Sequence, residues 1–153
     1  MLFLFFQLGK DRYVLDVGQV AEVLPLVSLK HIPQAPPAVA GVFDFHGDPV
    51  PVIDLSQMAL GRPAQRRLST RIILTHYIDD NGEKRLLGLI AEKVVETMRR
   101  EASDFVASGI DNDTAPYLGP VATDARGLIQ WVDVDHLLTS DVRDLLFKQP
   151  VAN

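Results

Sequence analysis

The sequence predicts an all-β protein. Short segments rich in β-branched and aromatic residues recur along the chain, and turn residues separate them at frequent intervals. No long amphipathic helix alternates with these segments, which disfavours a doubly wound α/β fold. With 153 residues, the chain has the length of one domain on the usual scale of about 100–200 residues per domain.

The first half contains five predicted strands. The segment Phe3–Leu8 is apolar on both faces, whereas residues 13–17 alternate between apolar and polar positions, as in a half-buried strand. A loop rich in proline follows near residues 33–37, and Leu55–Leu60 predicts one or two helical turns that end at Gly61. The five predicted strands span residues 3–8, 13–17, 20–24, 39–45 and 50–54.

The second half repeats the same mixture of strands and turns. The dipeptide Asn81-Gly82 predicts a hairpin, because it accommodates a turn with positive φ angles. We expect loops at 111–113 and at Gly119-Pro120, and a C-terminal helix over 140–148 with Ser140 as its N-cap. The predicted strands of this half span residues 71–77, 86–91 with an extension over 94–98, and 128–134.

The two halves also resemble each other. The segment 20–24 (VAEVL) matches 94–98 (VVETM), so that Glu22 corresponds to Glu96. Further along the chain, the segment 50–55 matches 129–134. We therefore predict two similar β units, approximately 10–68 and 69–138, with a groove between them. The N-terminal strand is free to pair with either unit.

Composition excludes several classes of protein. The net charge of −5 and the pI near 5.2 disfavour a general nucleic-acid binder, which is normally basic. The chain has no cysteine, so it has neither disulfides nor thiolate metal ligands. No apolar run approaches the ~20 residues of a membrane span, and the apolar start lacks the other parts of a signal peptide. We expect a cytoplasmic protein without membrane insertion.

Motifs of catalysis are scarce. The sequence has no phosphate-binding loop, dinucleotide fingerprint, serine elbow or zinc-binding helix motif, so we predict no enzyme activity, no cofactor and no metal. His46 lies between Asp44 and Asp48 and is interpreted mainly as an exposed turn residue. The alternative is a small β-barrel ligand-binding protein or enzyme that uses His46 with Asp44 or Asp54 as a general base.

A local cluster of basic residues has several interpretations. Arginines concentrate between residues 62 and 71, around Pro63 and Ser69. Such a cluster is usually a solvated loop, but it also suits an acidic protein surface or a phosphate. Binding to nucleic acid or acidic lipid is a third hypothesis, disfavoured by the net charge. The arginines are Arg62, Arg66, Arg67 and Arg71.

Several segments resemble the CheW-like domain family. The stretch 6–15, followed by 20–23, is similar to the opening of such a domain. Residues 41–55 (GVFDFHGDPVPVIDL) resemble the family pattern G-[VI]-x-N-x-R-G-x-[VI]-x-P-[VI]-[VI]-D-L. Residues 88–94 and 129–138 resemble later strands, so the likeness runs from about residue 3 to residue 138.

The resemblance implies a fold and a function. Domains of this family are two packed five-stranded SH3-like β-barrels. They are adaptors that couple chemoreceptors to a chemotaxis-type histidine kinase. We therefore expect two partners: the regulatory domain of such a kinase and the cytoplasmic tip of a receptor. The protein is expected to be a monomer on its own that joins receptor complexes at the membrane.

The resemblance also implies receptor-contact residues. The candidates are Val20, Glu22, Gly41 and His46 in the first half, with Val94 and Val95 as weaker ones in the second. Gly41 has a physical reason as well, since a residue without Cβ allows a partner helix to approach closely. Two positions depart from the family: His46 replaces an arginine and Asp44 replaces an asparagine. This predicts a receptor contact of different polarity or pH response, in keeping with a different sensory pathway.

Overall fold

The computed structural model describes residues 1–109, 113 and 115–147, and strands dominate this part of the chain. The strands are β1 (Leu2–Leu8), β2 (Asp11–Asp16), β3 (Val20–Pro25), β4 (Val39–Phe45), β5 (Asp48–Asp54), β6 (Arg71–Ile78), β7 (Lys84–Arg99), β8 (Leu118–Asp124) and β9 (Gly127–Val132). The helices are α1 (Leu55–Leu60) and α2 (Ser140–Leu146), and short 3₁₀ turns lie at Val17–Gln19, Ala102–Asp104 and Val134–His136. The prediction of an all-β protein is confirmed.

Several element boundaries differ from the prediction. The segments 86–91 and 94–98 form one continuous strand, β7, as predicted, but β7 is longer at its start and runs from Lys84 to Arg99. Gly119 and Pro120 lie inside β8 instead of a loop. Proline is tolerated there because β8 is an edge strand whose register shifts between Leu118 and Val121. A Cβ on Gly119 would lie 2.8 Å from the carbonyl oxygen of Trp131, so glycine allows the two strands to approach.

The C-terminal helix is present but begins differently. The side chain of Thr139, not that of Ser140, caps α2 by accepting a hydrogen bond from the backbone N–H of Val142. The helix ends at Leu146, and position 148 of the predicted range lies outside the described residues. Of the predicted loop 111–113, only Asp113 is described.

The strands form two five-stranded groups that share β7. The first group has the order β3-β6-β7-β5-β4, and the second has the order β7-β1-β2-β9-β8. Residues 84–91 of β7 pair with β6, and residues 92–99 pair with β1. Lys93 has a φ of 51° at the point where β7 passes from one group to the other. Between the described strands, the ladders close neither group into a complete barrel.

The strand registers confirm the internal repeat. The parallel pair β5·β7 aligns Val52 with Gly88, and the parallel pair β2·β9 aligns Trp131 with Val14. The sequence match of 20–24 with 94–98 places position 14 on position 88. The match of 50–55 with 129–134 places position 52 on position 131. The first group therefore combines β6 and β7 of the second half with β3, β4 and β5 of the first half. The second group combines β1 and β2 of the first half with β7, β8 and β9 of the second half. The division into units 10–68 and 69–138 stays a prediction, and the pairing crosses it.

The hydrophobic core has three parts. The largest lies between the two groups and includes Leu15, Ile53, Leu89 and Val94. The core of the first group is mainly aliphatic, and we call this group the aliphatic sheet. The core of the second group is rich in aromatic side chains, and we call it the aromatic sheet. The aliphatic core contains Val52, Ile72, Ile90, Leu24, Leu26, Leu29, Ala40, Phe43 and Ala64; the aromatic core contains Phe3, Phe5, Val14, Phe105, Ala122, Ile129, Met98 and Trp131.

Candidate functional site

An open groove of about 520 Å³ lies on the aliphatic sheet, between β3 and the outer part of β4. Its lining combines apolar side chains with two carboxylates and one histidine. Two of the residues predicted for the site, Glu22 and His46, line it together. We call it the β3–β4 groove, and its residues are Glu22, Leu24, Val27, Ser28, Phe43, Asp44, Phe45 and His46.

A tight turn holds His46 at the rim of the groove. Phe45 pairs with Asp48 across a two-residue connection, and both turn residues have positive φ angles: 53° at His46 and 94° at Gly47. This is the geometry of the primed hairpin turns, in which histidine is tolerated better than most side chains. The carboxylate Oδ1 of Asp44 accepts the backbone N–H of Gly47 at 2.8 Å. Asp44 therefore stabilises the turn.

The apolar part of the groove is formed by aromatic rings and aliphatic side chains. The rings of Phe43 and Phe45 have centroids 6.3 Å apart, and the imidazole of His46 packs on Phe45 with centroids 4.4 Å apart. Leu24 and Val27 contribute aliphatic surface, and Val27 is exposed. An exposed apolar surface rimmed by polar side chains is typical of a binding site for another protein.

The structure gives Gly41 a different role from the predicted one. Gly41 is buried in β4 with a φ of 147°, and a Cβ there would lie 2.5 Å from the carbonyl oxygen of Lys30. Backbone bonds between Lys30 and Val42 hold the two segments together. The close approach that requires glycine is therefore made by this chain itself. A larger residue at position 41 is expected to disturb folding as well as binding.

The other predicted residues lie elsewhere. Val20 is half-buried at the start of β3 and packs against the core between the sheets. Val94 is only 1% exposed and belongs to that core, so its side chain offers no contact surface. Val95 is 61% exposed, but it lies on the part of β7 that pairs with β1. None of these three valines lines the β3–β4 groove.

The alternative that combines His46 with Asp54 does not fit the geometry. Asp54 is buried at the far end of β5, about 20 Å along the strand from the turn at His46. Its Oδ1 accepts the N–H groups of Ser56 and Gln57 at 3.0 and 3.2 Å, and its Oδ2 accepts that of Ala64 at 3.0 Å. Asp54 is therefore the N-cap of α1, as its position before Ser56 indicates.

The arginine cluster lies on a loop that is ordered by hydrogen bonds. Besides the bond from Ala64 to Asp54, the buried hydroxyl of Thr70 donates to the carbonyl of Gln65. Leu68, within this loop, is 98% exposed. Binding of an acidic surface, a phosphate, lipid or nucleic acid by Arg62, Arg66, Arg67 and Arg71 stays a prediction.

The described residues offer neither a metal centre nor a membrane-crossing helix. Within residues 1–109, 113 and 115–147, no group of three or more histidine, aspartate or glutamate side chains is arranged to hold a metal ion. None of the helices in the described part of the chain has the length and apolar character needed to cross a membrane.

Sequence reasoning found the rim of the groove but missed its floor. Leu24, Phe43 and Phe45 were assigned to strands without a role. The available signal was the recurrence of groove residues at every second position, at 22 and 24 on β3 and at 43 and 45 on β4. Alternation alone does not say which face is covered, since that depends on how the two halves pack.

Comparison with known proteins agrees with this structure. The model of the CheW-like domain matches residues 2–142. The chain is 26% identical over 140 residues to a chemotaxis protein CheW of Treponema pallidum, covering 88% of this chain and 80% of that protein. It is 26% identical over 145 residues to a chemotaxis protein CheW of Klebsiella aerogenes, covering 91% of this chain and 82% of the relative.

A solved structure shows the same fold. The scaffolding protein TtCheW of Thermoanaerobacter tengcongensis superposes with a TM-score of 0.77 at 24% identity, over 92% of this chain and 89% of that one. Members of the matching family are non-catalytic scaffold adaptors, in agreement with the prediction that the chain is not an enzyme. Fold, internal repeat and a family match over almost the whole length lead to one conclusion: the chain belongs to the CheW-like domain family.

Proposed function

We propose that this chain is a chemotaxis adaptor that couples a chemoreceptor to a chemotaxis-type histidine kinase in the cytoplasm. The β3–β4 groove is the receptor site in this proposal, and the cytoplasmic tip of the receptor is its ligand. The observation that carries the proposal is the meeting of Glu22 and His46 in one apolar groove. The family resemblance assigns both residues to receptor binding.

The groove suits a helix with an apolar face. Leu24, Val27, Phe43 and Phe45 provide a surface into which a few aliphatic anchors of a helix pack. Glu22 and Asp44 add negative charge at the rim, and the imidazole of His46 adds an N–H donor. An arginine at position 46 would present five donors and a fixed positive charge. The present chain therefore favours a receptor segment with a less acidic contact than the family pattern implies.

The kinase contact is assigned to a different part of the molecule. The regulatory domain of the kinase is expected to bind at the ends of the two β units, as the family resemblance implies. Binding at separate surfaces would leave the groove free for the receptor. The adaptor would then hold both partners at once and be recruited to receptor complexes at the membrane.

The receptor site is tested by charge reversal at Glu22. Titration of the receptor tip into the Glu22→Lys variant is expected to show at least about tenfold weaker binding, equivalent to 1.4 kcal/mol. Glu96→Lys is the matched control, because Glu22 pairs with Leu74 and Glu96 pairs with Phe5 at equivalent positions of the two sheets. Both glutamates are exposed, so both variants should fold.

His46→Arg is a second test of the same groove. His46 is exposed, and the variant restores the family residue. We expect altered affinity for the receptor tip and unchanged kinase binding.

If Glu22→Lys and Glu96→Lys weaken receptor binding equally, or if neither does, the β3–β4 groove is not the receptor site.

A further inference from the structure

A second pocket, of about 350 Å³, opens on the aromatic sheet, on the part of the molecule that bears the 3₁₀ turns after β2 and β9. Trp131 forms part of its wall, and two carboxylates stand beside it. None of its residues lines the β3–β4 groove. The lining residues are Asp16, Gln19, Gly119, Pro120, Trp131 and Asp133.

The indole of Trp131 is held in place from behind. It packs edge-to-face against Phe3, with centroids 4.9 Å apart and an interplanar angle of 82°, and against Phe105 at 5.2 Å and 69°. Both phenylalanines are buried, whereas Trp131 is half-buried and contributes to the pocket. Trp131 therefore packs on two buried rings and also lines the pocket.

The two carboxylates keep acceptor capacity. Oδ1 of Asp16 accepts the N–H of Gly18 at 2.9 Å, and within the described residues its Oδ2 has no partner. Asp133 uses Oδ1 for the N–H of Asp135 at 3.1 Å and Oδ2 for Nδ1 of His136 at 2.6 Å. Because an ionised carboxylate has about four lone-pair sites, each aspartate is able to accept a further N–H donor.

The repeat shows what fills the corresponding position in the other sheet. Asp54 and Val52 of the aliphatic sheet correspond to Asp133 and Trp131, because the segment 50–55 matches 129–134. There, the backbone N–H of Ala64 donates to Oδ2 of Asp54, and Ala64 packs on the core that contains Val52. On the aromatic sheet, Oδ2 of Asp133 is paired with Nδ1 of His136 instead, and Trp131 and Asp133 line the open pocket.

We propose that this pocket binds the guanidinium group of an arginine side chain on a partner protein. The planar guanidinium stacks on the indole of Trp131 and donates hydrogen bonds to Asp16 and Asp133. Arginine is favoured over lysine because it combines a delocalised charge that stacks on aromatic faces with several donors in a fixed geometry. The indole takes part through its ring quadrupole and the aspartates through their charge, so both recognise the same cation.

The chain contains one tryptophan, so intrinsic fluorescence reports on this pocket directly. The probe is the peptide acetyl-Gly-Arg-Gly-amide, titrated into the intact chain at low ionic strength. The expected result is a saturable change in Trp131 emission with a Kd of about 1–10 mM, the range of a single charged, stacked contact. The citrulline peptide, which is neutral and has nearly the same shape, should bind at least about fivefold more weakly.

Isosteric variants complete the test. Asp16→Asn keeps the acceptor for Gly18 and should weaken the arginine peptide at least about threefold, with Asp133→Asn behaving similarly. Asp135→Asn is the matched control, because it removes one exposed charge next to the pocket without touching its lining, and it should leave binding unchanged. The proposal is overturned if the citrulline peptide, or the same peptide with lysine in place of arginine, binds as tightly as the arginine peptide. It is also overturned if no saturable response is seen up to about 50 mM, or if Asp16→Asn and Asp135→Asn have equal effects.

Discussion

The aliphatic and aromatic sheets have matching registers but carry different side chains at equivalent positions. In the aromatic sheet, Phe3, Phe105 and Trp131 fill the interior. In the aliphatic sheet, Val52 occupies the position equivalent to Trp131, and Phe45 lines an external groove. The comparison teaches that one backbone pattern supports both a packed aromatic core and a binding surface. Side chains, not strand pairing, determine what each sheet presents at its surface.

The largest expected effect on stability comes from truncating one buried side chain in each of the two cores, at equivalent positions. Phe3 pairs with Asp16 and Ile72 pairs with Ile90, so they occupy the same place in the two sheets, and both are fully buried. We expect Phe3→Ala to lower the free energy of unfolding by about 4 kcal/mol and Ile72→Ala by about 3 kcal/mol, because both leave cavities. Urea denaturation measures both. A cost below about 1 kcal/mol for Phe3→Ala would show that the aromatic interior is not a close-packed core.

A smaller effect is expected from the ion pair between Arg12 and Asp124. Arg12 is largely buried and donates two hydrogen bonds from Nη1, at 2.8 and 3.0 Å, to the carboxylate of Asp124. At equivalent positions the aliphatic sheet has Leu86 and Phe45. Asp124→Ala should cost about 3 kcal/mol in stability, because it leaves a buried charge without a partner.

The double variant Arg12→Leu/Asp124→Phe sharpens the same comparison. It introduces the residues of the other sheet and should recover most of the lost stability, since an apolar pair often replaces a buried ion pair without net cost. Thermal and urea unfolding of the single and double variants provide the measurement. A double variant no more stable than Asp124→Ala would mean that the two sheets do not tolerate exchange at this position.

The capping aspartates give the third comparison. Asp54 is buried and accepts three backbone N–H groups, whereas the Asp133 side chain is 41% exposed and accepts one backbone N–H and the imidazole of His136. Asp54→Ala should cost about 2–3 kcal/mol, and Asp133→Ala about 1 kcal/mol or less. Hydrogen exchange should also reveal faster opening of the loop 61–69 in Asp54→Ala. Equal costs for the two variants would contradict the difference in burial.

Two equivalent positions of the sheets should differ in their response to alkaline pH, because only one of them carries an ionisable side chain. Tyr13 in β2 corresponds to Leu87 in β7, and burial, assisted by the negative charge of Asp11, raises the pKa of Tyr13 from 10.0 to about 12. Burial also raises the pKa of Tyr117. Below pH 10 the tyrosine is neutral in both the folded and the unfolded chain, so ionisation has no effect on stability. Between pH 10 and about 12 the unfolded chain ionises first and the folded state loses stability.

The loss attributable to Tyr13 is on the order of 2 kcal/mol at its largest. Tyr13→Phe removes the ionisable hydroxyl but keeps the ring that stacks on Phe6 at 5.8 Å. Urea unfolding at pH 9 and at about pH 11 should therefore show a smaller decrease for Tyr13→Phe than for the unmodified chain. The same decrease in both would indicate that this hydroxyl is not desolvated by folding.

The sequence predicted strands well where apolar alternation is strong and turn residues bound the segment. It predicted the repeat too, because register and core contacts constrain the same positions in both halves. The prediction that residues 94–98 extend the strand 86–91 is confirmed, since β7 runs from Lys84 to Arg99. Glu92 and Lys93 are polar there because β7 crosses from one sheet to the other, not because the strand ends.

The positions of some candidate site residues could not be predicted from the sequence. Val94 looks like Val95, yet one is buried in the core between the sheets and the other is exposed. The glycine at 41 suggested room for a partner, whereas its space is taken by the carbonyl of Lys30. Both outcomes depend on tertiary packing of segments far apart in the chain, which local pattern does not contain.

The central claim is that this chain holds a kinase and a receptor at separate surfaces. The most direct measurement is calorimetric titration with the regulatory domain of a chemotaxis-type histidine kinase, repeated with the receptor tip present. We expect one-to-one kinase binding with a Kd of about 1 μM, equivalent to about −8 kcal/mol. That affinity should persist in Glu22→Lys while receptor binding falls. Absence of kinase binding by a folded sample, or competition between the two partners for one site, would contradict the account.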